Sequence, residues 1–232
     1  MTDHLITNAG AVGPTGRVDI QLEVTGRRQE TPRVVRFDLR DPSGQALPVW
    51  EPGAHIDLEL GADRLVRSYS LCRYPGDRFT MSIAVLRELA GRGGSAALHD
   101  DITVNNVVRV VGIRNHFPVE PAPEYVFIAG GIGITPFLPM IAALNQTGTP
   151  WTLHYAGKSR NTMAFLAELT TMHPDRVISY PSISGERLQL TTVLQSTCPL
   201  SQRTCLYQRG QVRCQGIRGA DLSGTTRYAT TS

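Results

Sequence analysis

The chain has 232 residues, with 23 lysines and arginines against 20 aspartates and glutamates, and a formal net charge of +3 at pH 7. This length allows two modest domains or one large one, and the small, scattered charge argues against nucleic acid or a membrane surface as a partner. No apolar run reaches the roughly 18 to 20 residues of a membrane-spanning helix, and the start of the chain lacks the features of a secretion signal, so we expect a cytoplasmic protein.

The first half of the chain predicts an all-β domain, an antiparallel barrel or sandwich. Residues 1–16 are polar and predict a loose leader. Short alternating or apolar segments separated by turns follow, which is typical of antiparallel strands. The predicted strands are Val18–Val24, Val34–Leu39, Ile56–Leu60, Val66–Leu71, Phe79–Val85 and Val107–Val111, with a short helix at Ser95–Asp101.

The pattern changes at the proline-rich segment Pro118–Pro123, which we interpret as a domain junction. Strands and helices alternate after it, and this order predicts a parallel α/β sheet with its ligand at the carboxyl ends of the strands. The predicted strands are Tyr125–Ala129, Trp151–Ala156 and Arg176–Tyr180, and the predicted helices include Pro136–Leu144, Ala164–Leu169 and Leu190–Leu194. The predicted domains are therefore residues 17–120 and 121–232.

The segment Gly130–Pro136 lies between a predicted buried strand and a predicted helix. Glycines let a backbone approach an anion, and the free amides of a helix start point towards it, so the segment predicts a phosphate cradle. In this interpretation Thr135 caps the helix and Pro136 occupies its first turn. A tight connection that binds no ligand is the alternative.

Two further segments in the first half carry polar groups suited to a phosphate. In Arg67–Leu71, Arg67 and Tyr69 share one face of a strand, and Ser68 and Ser70 share the other. An arginine fork, an aromatic ring and hydroxyl or backbone donors suit a phosphorylated ring compound, although a half-exposed strand is the alternative.

The second of these segments is Gly91–Ser95, which precedes the predicted short helix. It suggests another anion cradle, with a flexible connector as the alternative. One anion site on a barrel and one on an α/β domain predict two nucleotide-like ligands that meet at a domain interface.

In their order along the chain, seven segments resemble ferredoxin–NADP reductase-type flavoproteins. The nearest resemblance is to the phthalate dioxygenase reductase branch, which includes reductase components of vanillate O-demethylase systems. It runs from about residue 17 to about residue 195. The segments are Pro52–Ile56, Arg67–Leu71, Ser82–Val85, Gly91–Ser95, Arg114–Pro118, Gly130–Pro136 and His154–Arg160.

The resemblance implies a flavin-binding barrel followed by a nicotinamide-binding domain. The flavin is typically FMN in this branch, with FAD possible, and NADH or NADPH is the electron donor. Arg67 would hold the flavin phosphate, Tyr69 would lie against the isoalloxazine ring, and Ser70 would sit near its reactive N5 as the catalytic residue. The remaining implied cofactor-binding residues are Ser68, the cradle residues Gly93, Gly94 and Ser95, the nucleotide-path residues Gly131, Gly133 and Thr135, and, at the adenosine end, Ser159 and Arg160.

The implied function is a flavin-dependent NAD(P)H oxidoreductase, the reductase component of an aromatic-ring oxygenase or O-demethylase system. The four cysteines, Cys72, Cys198, Cys205 and Cys214, match neither a zinc pattern nor the C-x4-C-x2-C spacing of a [2Fe–2S] ferredoxin. We therefore expect no metal site and no cluster in this polypeptide. Electrons would pass to a separate ferredoxin or iron–sulfur oxygenase component.

The C-terminal region departs from the family. The family's nicotinamide domain closes with a strand, a Cys-Gly-Pro turn and a helix, whereas this chain reads Thr204–Gly210 with no Cys-Gly-Pro. We expect an atypical region from about residue 197, with a lost central strand and a disordered end. A flavin-binding protein without reductase activity and a stand-alone flavin reductase are therefore the alternative functions.

Overall fold

The computed structural model describes residues 16–61, 63–73, 76–89, 93–189 and 192–193, together with the backbone of 203–207 and 210–213. The chain divides into two compact units. The first contains residues 1–29 and 33–118 and is called the β unit; the second contains residues 30–32 and 119–232 and is called the α/β unit. The predicted leader and most of the atypical C-terminal region lie outside the described residues.

The β unit contains a six-stranded antiparallel sheet in the order β4-β3-β6-β1-β2-β5. Its elements are β1 (Arg17–Thr31), β2 (Val34–Arg40), β3 (His55–Leu60), β4 (Leu65–Ser70), β5 (Met81–Leu86), the helix α1 (Gly94–Asp100) and β6 (Val107–Arg114). In strands such as β2 the alternation of apolar and polar residues accounts for one buried and one wetter face, whereas β5 is buried on both faces. The antiparallel prediction is therefore confirmed.

The sheet curls until its two edge strands meet. Leu71, directly after β4, forms an antiparallel bridge with Ile83 of β5, and the Cys72 amide donates to the Ser82 carbonyl at 2.9 Å. We call this junction the seam. The curl encloses a core of aliphatic side chains together with Phe37, Trp50 and Met81, and Leu98 of α1 is part of that core. The helix is thereby fixed to the sheet by apolar burial.

The α/β unit contains a five-stranded sheet in the order β11-β10-β7-β8-β9. Its elements are β7 (Glu124–Gly130), α2 (Phe137–Thr147), β8 (Trp151–Gly157), α3 (Leu166–Met172), β9 (Val177–Pro181), β10 (Arg203–Tyr207) and β11 (Gly210–Arg213). Strands β10, β7, β8 and β9 are parallel neighbours. Phe137 of α2 packs on Phe127 of β7, with 5.0 Å between ring centroids. The predicted parallel α/β fold is confirmed.

Two local predictions were wrong. Strand β1 has 15 residues and continues past the predicted Val18–Val24. Hairpin pairing carries the strand through polar residues that the pattern alone does not mark as β structure. The expected loss of the last central strand is also wrong, because Arg203–Tyr207 pairs in parallel with Glu124–Ile128 of β7.

The chain then returns antiparallel as β11, where a helix is expected from the family pattern. Of the predicted helix Leu190–Leu194, only residues 192–193 are described, and they are helical. Within the described part of the chain, no helix is long and apolar enough to cross a membrane.

Candidate functional site

Strand β4 carries the first group of candidate residues. Tyr69 packs against the core of the β unit, and alternation along the strand puts Arg67 on the same face. Both side chains are half-buried. Ser68 and Ser70 occupy the opposite face. The strand therefore separates the arginine and the aromatic ring from the two hydroxyls.

Arg67 lies directly against the start of α1. A Cβ atom on Gly94 would come within 2.9 Å of Arg67 Cγ and 3.3 Å of Arg67 Nε, so a side chain at this position would displace the arginine. Gly93 has a φ of +85°, a conformation that glycine adopts without steric cost. The structure thus brings together two segments that are 26 residues or more apart in sequence, and we call Arg67, Gly93 and Gly94 the arginine–glycine cluster.

Hydrogen bonds also hold the C-terminal end of α1. Arg27 Nη2 donates to the His99 carbonyl at 2.9 Å, and the His99 imidazole N–H donates to the Val85 carbonyl at 2.9 Å. Arg87 forms a two-pronged ion pair with Asp100, with Nη2 to Oδ2 at 2.8 Å. These contacts fix the helix on the sheet, so the position of its glycine start is determined.

Ser95 is tied to the loop that leads into α1. Its hydroxyl oxygen accepts a hydrogen bond from the Glu88 amide at 3.0 Å. A hydroxyl that accepts through its oxygen retains a proton to donate. The predicted role of Ser95 as a phosphate donor is therefore compatible with its contact, and it remains a prediction.

Tyr69 is neutral across the physiological pH range. Burial raises the pKa of its phenol to about 12, although the charge of Arg67 opposes the shift. Its strand partner is Ile56 of β3, so an apolar side chain supports the ring. A neutral, partly buried aromatic ring suits contact with a flat, uncharged ring system.

Ser68, itself exposed, contacts a buried carboxylate, Asp57, that was not recognised from sequence. Its hydroxyl donates to Asp57 Oδ1 at 2.6 Å, and Arg114 Nη1 lies 2.7 Å from Asp57 Oδ2. Asp57 is only 2% exposed. This carboxylate joins β3, β4 and β6, and in the sequence it has the appearance of an ordinary polar residue on the wet face of a strand.

Ser70 is the strand partner of His55, which also pairs with Arg114. The rings of His55 and His116 have centroids 5.1 Å apart. Burial lowers the pKa of His55, with smaller contributions from His116 and Arg114 in the same direction and an opposing one from Asp57. The hydroxyl assigned to catalysis from the resemblance therefore neighbours an imidazole whose burial favours the uncharged form.

The glycine segment of the α/β unit follows β7 directly. Residues Gly131–Ile134 form a 3-10 turn that leads towards α2, and Gly131 has a φ of +53°, a conformation favoured by glycine. Gly131 is exposed and Gly133 is buried. The first amides of a helical segment lack partners within it, so this turn presents backbone donors at the carboxyl end of β7.

The prediction that Thr135 caps α2 is wrong. The residue at the N-cap is Pro136, and no side chain caps the helix. The Thr135 hydroxyl instead donates to the Ile132 carbonyl at 3.0 Å, because the 3-10 turn starts the helical path before Thr135 and a hydroxyl inside such a path bonds backwards. Thr135 is 6% exposed, so it supports the turn from within.

Tyr155 of β8 also contacts the glycine segment and was not recognised from sequence. It is 0% exposed, and its hydroxyl lies 3.0 Å from the Gly131 carbonyl and 3.1 Å from the Ala164 carbonyl. The only sequence signal would have been a tyrosine in an otherwise buried strand, since a buried phenol requires a hydrogen-bond partner.

Ser159 and Arg160 follow β8 in a short 3-10 turn. Ser159 and Thr162 form a capping box around this turn, and the Ser159 hydroxyl donates to Asn161 Oδ1 at 2.5 Å. Arg160 is exposed. The hydroxyl is therefore engaged locally, and the cation stands at the surface near the carboxyl end of the strand.

The described residues contain no group of three or more His, Cys, Asp or Glu side chains that could hold a metal ion. His154 shares a hydrogen bond between its Nδ1 and the Tyr180 hydroxyl at 2.9 Å. Burial lowers its pKa. Cys72 is a buried free thiol, whereas the side chains of the other three cysteines lie outside the described residues.

Comparison with known proteins identifies relatives of this chain. It is 47% identical over 163 residues to the phenoxybenzoate dioxygenase subunit beta of Ectopseudomonas oleovorans, covering 69% of this chain and 50% of that protein. It is 36% identical over 174 residues to the carnitine monooxygenase reductase subunit of Acinetobacter baumannii, covering 75% of this chain and 54% of that protein. No family model matches the chain.

A solved structure gives the same result. Phthalate dioxygenase reductase, described as a modular structure for electron transfer from pyridine nucleotides to [2Fe–2S], superposes with a TM-score of 0.75 at 29% identity, covering 82% of this chain and 60% of that one. The chain is a homologue of phthalate dioxygenase reductase-type subunits. This reductase-type homologue spans about half the length of the curated relatives described above.

Proposed function

We propose that this chain binds a flavin on the β unit and a reduced nicotinamide nucleotide on the α/β unit, and that it is an NAD(P)H-dependent oxidoreductase. Homology to reductase-type subunits supports the class of activity. The single observation that carries the proposal is the packing of Arg67 against Gly94, because a guanidinium beside a glycine helix start offers both charge and approach to a phosphate.

The residues of the β unit fit a flavin. The missing side chain of Gly94 leaves the space in which Arg67 lies, and we propose that Arg67, Gly93, Gly94 and Ser95 contact one phosphate group. We propose FMN, because its single phosphate matches a single cradle, and FAD is the alternative. Mass spectrometry of the flavin released from the purified protein distinguishes them.

When bound, the flavin supplies the conversion of a two-electron hydride donor into single electrons. The protein's part is to bind and orient. Arg67 would neutralise the phosphate and Tyr69 would offer a neutral ring face. Ser70 would contribute a hydroxyl or backbone donor, and Ser68 would contribute through its backbone, because its hydroxyl proton is donated to Asp57. Because the pKa of Tyr69 is raised to about 12, its phenol does not ionise beside the ring.

The residues of the α/β unit fit the nucleotide less completely. We propose that the turn containing Gly131 and Gly133, supported by Thr135, contacts the dinucleotide, and that Ser159 and Arg160 lie towards its adenosine end. Arg160 is exposed, so its cation suits a 2′-phosphate. The Ser159 hydroxyl donates to Asn161 Oδ1, so it does not require a 2′-phosphate as its partner. Comparing KM for NADH and NADPH in wild type and Arg160→Ala tests which donor is used.

We propose a separate ferredoxin or iron–sulfur oxygenase component as the electron acceptor, in an aromatic-ring oxygenase or O-demethylase system of the vanillate type. The names of the homologous reductase subunits support an oxygenase partner. The test is cytochrome or dye reduction compared with reduction of added ferredoxins and oxygenase components; transfer to none of them would overturn this part of the proposal.

The decisive experiment is the visible spectrum of the purified chain, reconstituted with FMN, before and after anaerobic addition of NADH. A yellow protein that is bleached by NADH supports the proposal, and a chain that retains no flavin rejects it.

A flavin-binding protein without reductase activity is the second candidate function. The observation that favours it is the antiparallel return of β11 at Gly210–Arg213, where the resemblance implies a Cys-Gly-Pro turn and a helix. Retention of FMN without bleaching by NADH or NADPH would select this candidate over the first. Oxygen-dependent turnover that no partner accelerates would instead indicate a stand-alone flavin reductase.

A further inference from the structure

We propose that Tyr155 is a positioning residue that orients the Gly131–Ile132 peptide for binding the pyrophosphate of the nicotinamide nucleotide. This inference rests on the proposed function, because it requires the nucleotide to bind at the glycine segment. Tyr155 is fully buried on β8 and belongs to none of the residues that the sequence assigned to a ligand.

The hydrogen bond from Tyr155 sets the direction of the Gly131–Ile132 peptide plane. The Tyr155 hydroxyl donates to the Gly131 carbonyl at 3.0 Å, so this carbonyl points towards the interior. In a trans peptide the carbonyl and the following amide point in opposite directions, and the described chain has no cis peptide. The Ile132 N–H is therefore directed away from Tyr155, towards the side where Gly131 is exposed.

The Gly131–Ile132 peptide keeps this orientation only if another group holds it. Gly131 has a φ of +53°, and glycine populates positive and negative φ about equally. A glycine peptide next to an exposed turn therefore has an alternative in which the carbonyl, not the amide, faces the ligand. A buried hydroxyl that bonds the carbonyl favours the arrangement that presents a donor to an anion.

Tyr155 also contacts the segment after β8, which contains Ser159 and Arg160. The same hydroxyl lies 3.1 Å from the Ala164 carbonyl, just after the turn that contains Ser159 and Arg160. This segment is tightly packed, because a Cβ on Gly157 would come within 2.3 Å of Met163 Cγ. The single hydroxyl proton is shared between the two carbonyl acceptors, so one phenol joins the glycine segment and the segment assigned to the adenosine end.

The test is binding of ADP-ribose, which carries the pyrophosphate and adenosine but no nicotinamide, measured by isothermal titration calorimetry on the flavin-loaded protein. Tyr155→Phe retains the buried ring and removes only the hydroxyl. We expect about 10-fold weaker binding, because the Ile132 N–H would no longer be held towards the pyrophosphate, which is comparable to loss of one well-oriented hydrogen bond to an anion. The KM for the nicotinamide donor should rise similarly, while the limiting rate of flavin reduction at saturation stays near that of wild type.

Tyr180→Phe is the matched control, because it removes a phenol hydroxyl from the neighbouring strand, where the partner is His154. Its ADP-ribose affinity should equal that of wild type. Equal affinity of Tyr155→Phe and wild type would overturn the inference and leave the proposed function intact. Failure of wild type itself to bind ADP-ribose would overturn both, so the two failures are distinguishable.

A second measurement needs no variant and keeps the inference testable if Tyr155→Phe does not fold. In wild type, ADP-ribose should slow hydrogen exchange of the amides of Gly131–Ile134 and of residues 157–165 together. Protection confined to one of the two segments would contradict the link through Tyr155.

Discussion

The two candidate sites are built in different ways. In the β unit the proposed site is centred on a charged side chain, Arg67, which is positioned by the absence of a side chain at Gly94. In the α/β unit the proposed site is centred on backbone amides, and a phenol from another strand holds the peptide that carries one of them. The contrast teaches that a side-chain site can be found from its own motif, whereas a backbone site depends on residues outside it.

The largest effect that would sharpen this contrast is expected for Arg67→Ala. Loss of a charged contact to phosphate should weaken FMN retention by about 30- to 100-fold, measured by fluorescence titration of the stripped protein. ADP-ribose binding by the α/β unit should not change. Arg64→Ala is the control, since Arg64 is an exposed arginine near the start of the same strand, paired with Glu59 at 3.1 Å. Equal losses in the two variants would refute a specific role for Arg67.

The next largest effect is on the stability of the β unit, not on the groups that contact its ligand. Asp57→Ala removes the partner of Arg114 and Ser68 and should lower the free energy of unfolding by about 2 kcal/mol, below the full cost of breaking a wholly buried ion pair because Arg114 is partly exposed. Urea unfolding measures this change.

The control for the Asp57 experiment is Asp19→Ala, which breaks an exposed ion pair with Arg109 and should change stability little. Equal stability losses for the two variants would show that burial does not distinguish the networks. If Asp57→Ala weakened ADP-ribose binding as strongly as FMN binding, the two ligands would not bind at independent sites, which would contradict the contrast between the two units.

A smaller effect is expected for Gly94→Ala. The new Cβ would lie 2.9 Å from Arg67 Cγ, so the arginine must shift, and FMN affinity should fall by about 5- to 10-fold, as for a weakened charged hydrogen bond. The same substitution in an Arg67→Ala background should add almost nothing, because its cost arises through the arginine. Additive losses in the double variant would contradict this coupling.

The smallest effect is a dependence of stability on pH that both units share. Burial lowers the pKa of His55 in the β unit and of His154 in the α/β unit. The unfolded chain therefore binds more protons at acidic pH, so stability is retained above the ordinary histidine pKa and declines as pH falls towards the lowered values. Melting temperatures between about pH 7.5 and pH 5 measure this decline. His154→Asn should reduce the slope, and an unchanged slope would exclude His154 as a contributor.

Sequence patterns were sufficient to predict the fold, because the alternation of apolar and polar residues indicates which face of a strand is buried and turn residues mark where strands end. They failed where tertiary pairing decides. Strand β1 continues to Thr31 through polar residues, and β10 forms although the family's closing motif is missing. Thr135 was misassigned because a 3-10 turn, which no local pattern marks, starts the helical path early.

The candidate sites show the same division. The resemblance implied that Arg67 and Gly93–Ser95 serve one ligand, and the structure shows Arg67 in contact with Gly94; the ligand itself belongs to the proposal. Asp57 and Tyr155 could not be found from sequence, because an aspartate on a wet strand face and a tyrosine in a buried strand are common. Their roles depend on partners 57 and 24 residues away, Arg114 and Gly131.

The seam has a consequence for motion in the β unit. Strand β4 stands at one edge of the sheet, and in the described residues its connection to the opposite edge is the bridge at Leu71 and the Cys72 amide bond. The strand is therefore anchored most firmly at the end beyond Ser70 and most loosely near Leu65. Thermal fraying should begin at Leu65 and spread towards Ser70, which would displace Arg67 before the surroundings of Ser70 change.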